Sequence, residues 1–520
     1  MTRVVDIEGL EVSFATDGGT VVAVDDVSLS VEAGEVLAIV GESGSGKTVT
    51  AKSILGLLPE NAVTRGAIVL NGTDVLSLTG ERLRAIRGTD VAMVFQEPST
   101  SLNPVYTVGW QIAEGLRAHG KLSKREARAK AIEILGKVGI PEPGKRVDHY
   151  PHQFSGGQKQ RVVIAMALVL EPELIVADEP TTALDVTVQA EILDLLRRCR
   201  EEFGAAIVLI THNMGIVADL ADRVAVMYEG KLVEQAPVAK LFEAPEHPYT
   251  QRLLAAVPRI GTGAARAAER LAGRVSAGTV NTDAPVVVAK DLVIEYPGRF
   301  GRHGFRGGSL NVLGHEMNGI REREFRPVRG EIGFVFQDPA SSFNPLLTIA
   351  ECVAEPLIVH GVAGDVAAAR PRVDELLEAV QLPKEYASRF PHELSGGQRQ
   401  RASLARSLAL EPSLLIADEP TSALDVSVQA KVLELFAELQ SEFGFAALFI
   451  SHDLAVVDML SDRIAVLYRG ELVEEGTGAE VLGAPRHPYT QRLLASLPVP
   501  DPAEQAIRRN KLRTLREADQ

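Results

Sequence analysis

The chain is poor in sulfur, in aromatic rings and in long apolar stretches. Its 520 residues include two cysteines, Cys199 and Cys352, and neither has a neighbour at metal-ligand spacing. That excludes a disulfide framework and the usual zinc and iron–sulfur sites, and it suits a reducing compartment. The longest apolar runs, such as VVIAMALVL at Val162–Leu170, are about half of the roughly 20 residues a membrane span needs. The N-terminus, MTRVVDIEGLEVSF, has no apolar core of the kind a signal peptide requires. Positive charge is also short: 54 Lys and Arg against 69 Asp and Glu leave a net −15. That is the wrong sign for a duplex nucleic-acid surface, so no nucleic-acid partner is expected. The length predicts two to four domains of an acidic protein, with any membrane-spanning helices supplied by other chains.

What the chain does have is a repeat of itself. VFQEPSTSLNPV from Val94 recurs as VFQDPASSFNPL from Val335, and YPHQFSGGQKQR from Tyr150 as FPHELSGGQRQR from Phe390. LIVADEPTTALDVTVQAEIL from Leu174 recurs as LLIADEPTSALDVSVQAKVL from Leu414, and HPYTQRLLAAVP from His247 as HPYTQRLLASLP from His487. The spacings agree: Gln158 to Asp178 and Gln398 to Asp418 are both 20, and Asp178 to His212 and Asp418 to His452 are both 34. Upstream the register breaks once. Phe14 to Arg65 is 51 residues, whereas Tyr296 to Arg306 is 10, which places one internal gap of 41 residues in the second copy. The repeat predicts a first domain over 1–258, a linker rich in Ala, Gly and Arg over 259–284, a second domain over 285–498 and a charged tail over 499–520.

The missing stretch is the one that carries the most specific motif of the first copy. EVLAIVGESGSGKTVTAKSILGLL (Glu35–Leu58) has the order strand, glycine loop, helix, and Gly41–Thr48 fits G-x-x-x-x-G-K-[ST] in full. Its glycines let backbone N–H groups ring phosphates, with the positive helix N-terminus behind them. Lys47 supplies a point charge for the β- and γ-phosphates, and Thr48 a hydroxyl for Mg²⁺. LIVADEP ends an apolar strand on two carboxylates. Asp178 suits a Mg²⁺ shell, and Glu179 a base or water-polarising residue. An acidic pair after a strand is often only a solvated strand end, but here it follows a phosphate loop with SGGQ between them. FSGGQ and LSGGQ each precede an amphipathic helix, and Ser-Gly-Gly at a helix start forms a second anion-binding nest or a simple cap. Taken singly, His212 and His452 at strand ends, Gln96 and Gln337 in loops, and Phe14 and Tyr296 read as structural residues.

In combination these motifs resemble the nucleotide-binding subunits of ABC transporters, over about 450 residues. Within that family, QEPSTSLNP, YPHQFSGGQKQR and HPYTQRLL are similar to the oligopeptide, dipeptide and nickel importer ATPases, here with two such subunits fused. The resemblance implies an α/β fold of two tandem ABC-type P-loop NTPase domains. Each has a RecA-like core, an antiparallel β layer and a helical subdomain, the latter over about Asp90–Gln158 and Glu331–Gln398. The second domain lacks about 41 core residues. It also implies ATP and Mg²⁺ as ligands. Gly41, Glu42, Ser43, Gly44, Ser45, Gly46, Lys47 and Thr48 would cradle the phosphates. Phe14 would stack on adenine. Thr48, Gln96 and Asp178 would hold Mg²⁺, and Glu179, Gln96 and His212 would serve catalysis. Ser395, Gly396 and Gly397 of the second half would close this one composite site by intramolecular pairing of the halves. The expected partners are two integral-membrane permease subunits and, through them, an extracytoplasmic substrate-binding protein, with the chain peripheral on the cytoplasmic membrane face. Two departures stand out: Asn213 follows His212 where the family has Asp, and the cysteines many members carry after HPYT are missing. Two other readings stay open, a deletion-damaged protein with a poorly folded second half and a soluble tandem ATPase acting outside transport. The sequence does not name the cargo.

Overall fold

Two kinds of strand build the first half. Arg3–Thr16 (β1) and Gly19–Glu32 (β2) mix buried and exposed side chains, as suits a sheet with one wet face. Val36–Val40 (β3) reads VLAIV and is buried throughout, as suits a central parallel strand covered on both faces. Ala62–Leu70 (β4) and Thr73–Asp74 (β5) complete a four-stranded antiparallel layer in the order β2-β1-β4-β5. Val91–Val94 (β6), Leu174–Asp178 (β7), Ala206–Ile210 (β8), Arg223–Tyr228 (β9) and Lys231–Pro237 (β10) join β3 in a second sheet, ordered β10-β9-β3-β8-β7-β6. All neighbours in it are parallel except β10 with β9. Helices Val108–His119, Lys124–Lys137 and Gly156–Leu168 pack around Ile112, Leu116, Ile134, Leu135 and Ile164. Thr107 caps the first of them, and a Ser123/Glu126 capping box starts the second.

This is a computed structural model, and it describes residues 2–518 apart from 17, 121, 183, 259, 262–284, 296–303 and 422–423. Tyr296, most of the linker and Ser422–Ala423 of the second SALD motif therefore lie outside the described residues. The chain forms two compact units, Met1–Val257 together with Gln491–Gln520, and Pro258–Thr490. The stretch that reads from sequence as a charged tail contains the helix Pro502–Ala518, which packs on the helix Met214–Leu220 within the first unit. Leu512 and Gln505 are buried there. Arg516 pairs with Asp194 at 2.7 Å, and Arg509 lies 3.7 Å from Asp219.

The second unit repeats part of the first among the described residues. Val287–Glu295 (β11) and Gly304–Val312 (β12) pair antiparallel as β1 and β4 do, with the short His315–Glu316 (β13) beside them. Ile332–Val335 (β14), Leu414–Asp418 (β15) and Ala446–Ile450 (β16) form a parallel sheet, and Arg463–Tyr468 (β17) and Glu471–Thr477 (β18) form a separate antiparallel pair. In the first unit β3 joins β8 to β9. Among the described residues nothing does so between β16 and β17, and β2 and the helix after the phosphate loop also have no counterpart. The consequence is visible in burial. Every residue of β8 is buried, whereas Leu448 and Ile450 of β16 are 48% and 46% exposed.

Both cysteines are buried in helices, and burial pushes the Cys199 thiol up to about 12, which leaves it inert.

Candidate functional site

The loop Gly41–Gly46 leaves the C-terminal end of β3 and enters the helix Lys47–Ile54. Two of its glycines are there because nothing larger fits. Gly41 has φ 151°, and a Cβ on it would lie 2.2 Å from Met227 O. Gly46 has φ 96°, and its Cβ would lie 2.5 Å from Ala23 O. Lys47 is 7% exposed and folds back over the loop, donating to Gly41 O at 2.8 Å, Glu42 O at 2.7 Å and Ser45 Oγ at 3.4 Å. An ammonium held this way inside its own loop is positioned for phosphate oxygens.

Asp178 ends β7, and its Oδ1 accepts from Thr48 Oγ1 at 3.2 Å across 130 residues of chain. Burial, then the neighbouring charge of Glu179, raises the Asp178 carboxyl above its ordinary value against the pull of Thr48, Lys52 and Lys47. Glu179 has a left-handed backbone, φ 47°, which a non-glycine residue adopts rarely and which is held here by Glu179 N donating to Ile210 O at 2.9 Å. Its carboxylate gathers three side chains from separate parts of the chain. Gln96 Nε2 donates to Oε2 at 2.7 Å, His212 Nδ1 lies 3.2 Å from Oε1, and Thr182 Oγ1 donates to Oε2 at 2.9 Å. Burial raises the Glu179 carboxyl, but His212, Thr182 and Lys47 outweigh it, so it lies below the usual carboxylate range. The surroundings of Glu179 therefore favour its ionised form.

Hydroxyl and carboxylate oxygens at Thr48 and Asp178 are the hard donors that Mg²⁺ takes, and Mg²⁺ needs few protein ligands when substrate phosphates supply others. The residues present therefore fit Mg·ATP. No group of three or more His, Cys, Asp or Glu among the described residues could hold a metal by itself. Phe14 lies on β1 opposite Val21 and Ala62, partly buried against the apolar cluster of that layer.

Ser395 caps the helix Gly396–Ser407 in the second unit. Its hydroxyl accepts from Gln398 N at 3.3 Å, and Gln398 Oε1 accepts from Ser395 N at 2.9 Å. Ser155 makes the same box in the first unit. In both copies the second glycine also has a packing reason. A Cβ on Gly157 would meet Val188 Cγ1 at 2.4 Å, and one on Gly397 would meet Val428 Cγ1 at 2.4 Å. The second unit keeps the polar cluster as well: Gln337 Nε2 donates to Glu419 at 2.7 Å, and His452 Nδ1 lies 3.0 Å from it. It has no phosphate-loop motif to serve.

Sequence reasoning missed two participants. Thr182 sits in the TTALD stretch, and its hydroxyl could have been suspected there. Tyr249 Oη accepts from Glu42 N at 3.0 Å over 207 residues of chain, and only the repetition of HPYT hinted at it. Asn213 makes the same cap as the aspartate at the matching position of the second unit. Its Oδ1 accepts from Gly215 N and Ile216 N just as Asp453 Oδ1 accepts from Ala455 N and Val456 N, so both cap the helix after the histidine.

A phosphate loop, a strand-end carboxylate pair and a glutamine and a histidine gathered on that pair, at the end of a largely parallel sheet, define a P-loop ATPase. The ABC transporter family pattern matches residues 24–182 and 301–422, and the pattern of the oligopeptide/dipeptide transporter C-terminal region matches 233–282 and 473–519. Glutathione import ATP-binding protein GsiA of Salmonella choleraesuis is 43% identical over 569 residues, covering 97% of this chain and 91% of that protein. The proteins of the same name from Pectobacterium atrosepticum and Escherichia coli are 43% identical over 564 residues and 42% identical over 571 residues, with 96% and 98% of this chain covered and 90% and 91% of theirs. The chain belongs to the ABC transporter family, in its oligopeptide/dipeptide importer branch, and is an ATPase coupled to transport.

Proposed function

We propose that this chain is the energy-coupling subunit of a peptide-type importer and that one composite ATP site works in it. The first domain, over 1–258, supplies Gly41–Thr48, Gln96, Asp178, Glu179 and His212, with Phe14 for the adenine. The second, over 285–498, supplies Ser395, Gly396 and Gly397. The loop amides and Lys47 hold the β- and γ-phosphates, and Thr48 and Asp178, with Gln96, hold Mg²⁺, which neutralises charge on the phosphates when bound. Glu179 orients a water and draws on its proton. His212 and Gln96 hold the Glu179 carboxylate toward that water. The signature nest stabilises charge on the γ-phosphate as the bond breaks.

The observation that carries this reading is the asymmetry between the units. The first has β3, its loop and the helix behind it, whereas the second retains Gln337, Glu419 and His452 around no such loop. The relatives support an internal gap. Covering 97% of 520 residues is about 504, so about 65 of the 569 positions aligned with the Salmonella protein have no residue in this chain. The ATPase rates of two variants test it. Glu179→Gln should lower turnover by about 10²–10³-fold, and Glu419→Gln should change it little. Equal losses would overturn the one-site reading. Bound nucleotide in the Glu179→Gln chain should reach one per chain and not two.

The partners in this reading are two permease subunits and, through them, an extracytoplasmic binding protein, with the chain peripheral on the cytoplasmic face of the membrane. No described helix is long and apolar enough to cross a membrane. The relatives' names favour a glutathione-like short peptide as cargo, which uptake assays in a strain lacking this chain would check. A second reading, a deletion-damaged protein, is favoured by the exposed apolar edge of β16. Rapid proteolysis of residues 285–498 in the intact chain under native conditions would favour it over the first.

A further inference from the structure

The HPYT motif that closes each half has no chemistry assigned to it in the reading above. In the first unit it is built tightly. Glu234 on β10 accepts from Glu246 N and His247 N, both at 2.9 Å, and His247 Nδ1 accepts from Tyr249 N at 3.2 Å, which starts the helix Pro248–Ala255. That cap fixes the direction of Tyr249. Its ring packs on Tyr228 at the end of β9, centroids 4.3 Å apart, and the residue is 3% exposed. Its hydroxyl meets the second residue of the phosphate loop, accepting from Glu42 N at 3.0 Å. The neighbouring Gly41 passes Met227 O so closely that no side chain fits. The loop entrance is thus bounded by β9 on one side and by the Tyr249 hydroxyl on the other. We propose that Tyr249 is a positioning residue for the phosphate loop, fixing the Glu42 amide so that the following N–H groups face the phosphates before nucleotide arrives. This inference rests on the reading of Gly41–Thr48 as the ATP loop and adds the part of the chain that sets its shape.

The molecule carries its own control. In the second unit Glu474 accepts from Arg486 N and His487 N, His487 Nδ1 accepts from Tyr489 N, and Tyr489 stacks on Tyr468 with centroids 4.1 Å apart. The motif is rebuilt there in a unit without a phosphate-loop sequence. Its retention there fits a structural share in holding the helix, and in the first unit the Tyr249 hydroxyl also meets the phosphate loop at Glu42 N.

The test uses the full chain and compares Tyr249→Phe with Tyr489→Phe. Phe keeps the ring packing and removes the acceptor. Tyr249→Phe should raise KM for ATP, and the Kd for a non-hydrolysable ATP analogue, by about three- to tenfold, the effect of one net hydrogen bond. Its kcat at saturating ATP should stay within about twofold, because the loop is ordered once phosphate fills it. Tyr489→Phe should leave KM and Kd unchanged. A purely structural role would instead lower the melting temperature in both variants and leave KM alone. Unchanged KM in Tyr249→Phe, or equal shifts in the two variants, would overturn the inference. Hydrogen exchange on the unsubstituted chain gives a second measurement that needs no variant to fold. Without nucleotide, the Glu42 amide should exchange at least about tenfold more slowly than that of Gly44 at the exposed loop tip, and equal rates would overturn the inference. A chain that binds no nucleotide at all would overturn the site reading together with this inference. Normal binding in the parent with no change in Tyr249→Phe removes this inference alone.

Discussion

Two adjacent carboxylates, Asp178 and Glu179, are driven in opposite directions by their surroundings. The raised carboxyl of Asp178 means that folding disfavours its charged form. The penalty is complete above the folded value, and it disappears as pH falls below the unfolded one. The lowered carboxyl of Glu179 means the reverse. Its contribution to stability is complete above the ordinary carboxylate value and is lost as pH falls through the lower folded one. At neutral pH, without Mg²⁺ or nucleotide, Asp178→Asn should therefore raise the melting temperature by about 2 °C and Glu179→Gln should lower it by a similar amount. Both should lose ATPase activity. Calorimetry on the two variants checks this, and shifts of the same sign would contradict the assignment of causes. Asp178 is thus a buried carboxylate whose charge the fold disfavours, whereas Glu179 is held charged by His212, Thr182 and Lys47.

Among the described residues, β3 is the strand whose lack of a counterpart most alters the parallel sheet of the second half. β3 covers β8 on one side and β9 on the other, and Val208 on β8 is 0% exposed. Its counterpart in the repeat is Leu448 on β16, half exposed, with no strand beyond β16 among the described residues. The same lysine substitution should therefore give opposite results. Val208→Lys buries an unpaired charge and should destabilise the first unit by about 3–5 kcal/mol. Leu448→Lys should change stability by less than about 1 kcal/mol. It should also improve solubility, because a charge on an exposed apolar edge blocks edge-to-edge pairing. Denaturant melts and the soluble fraction of each variant decide the matter. Reinserting a 41-residue segment with the sequence of Ala15–Leu55 between Tyr296 and Arg306 should bury Leu448 and raise bound nucleotide from one to two per chain.

At the scale of the whole molecule, the C-terminus belongs with the beginning of the chain. The helix Pro502–Ala518 lies on the helix Met214–Leu220, which starts two residues after His212, and Pro498 sits so close to Gly215 that a Cβ there would meet its carbonyl carbon at 2.6 Å. Stopping the chain after Pro498 should uncover the Leu512 contact and leave Asp194 and Asp219 without Arg516 and Arg509. We expect the transition of the first unit to fall by at least about 2 °C, since one buried leucine contributes roughly 1.5–3 kcal/mol. Differential scanning calorimetry of full-length and shortened chains would show it. An unchanged transition would mean the helix is only laid on the surface.

The sequence alone determined the repeat, the family, the one complete phosphate loop and the gap in the second copy. Those are local patterns: Gly-rich turns, strand-end acids and fixed spacings are written in consecutive residues and need no partner to be read. It also determined the apolar character of FAALFIS, but not that β2 as well as β3 has no counterpart among the described residues, because an antiparallel layer strand has no signature as sharp as GESGSGKT. Tertiary structure alone decided that Gln96, Thr182 and His212 meet on Glu179, that Tyr249 reaches Glu42, and that the charged C-terminal helix finds its partners near Asp194 and Asp219. Each of these joins residues separated by tens to hundreds of positions. Hydrogen bonds and ion pairs of that kind depend on how sheets and helices pack, and a linear spacing records none of that geometry.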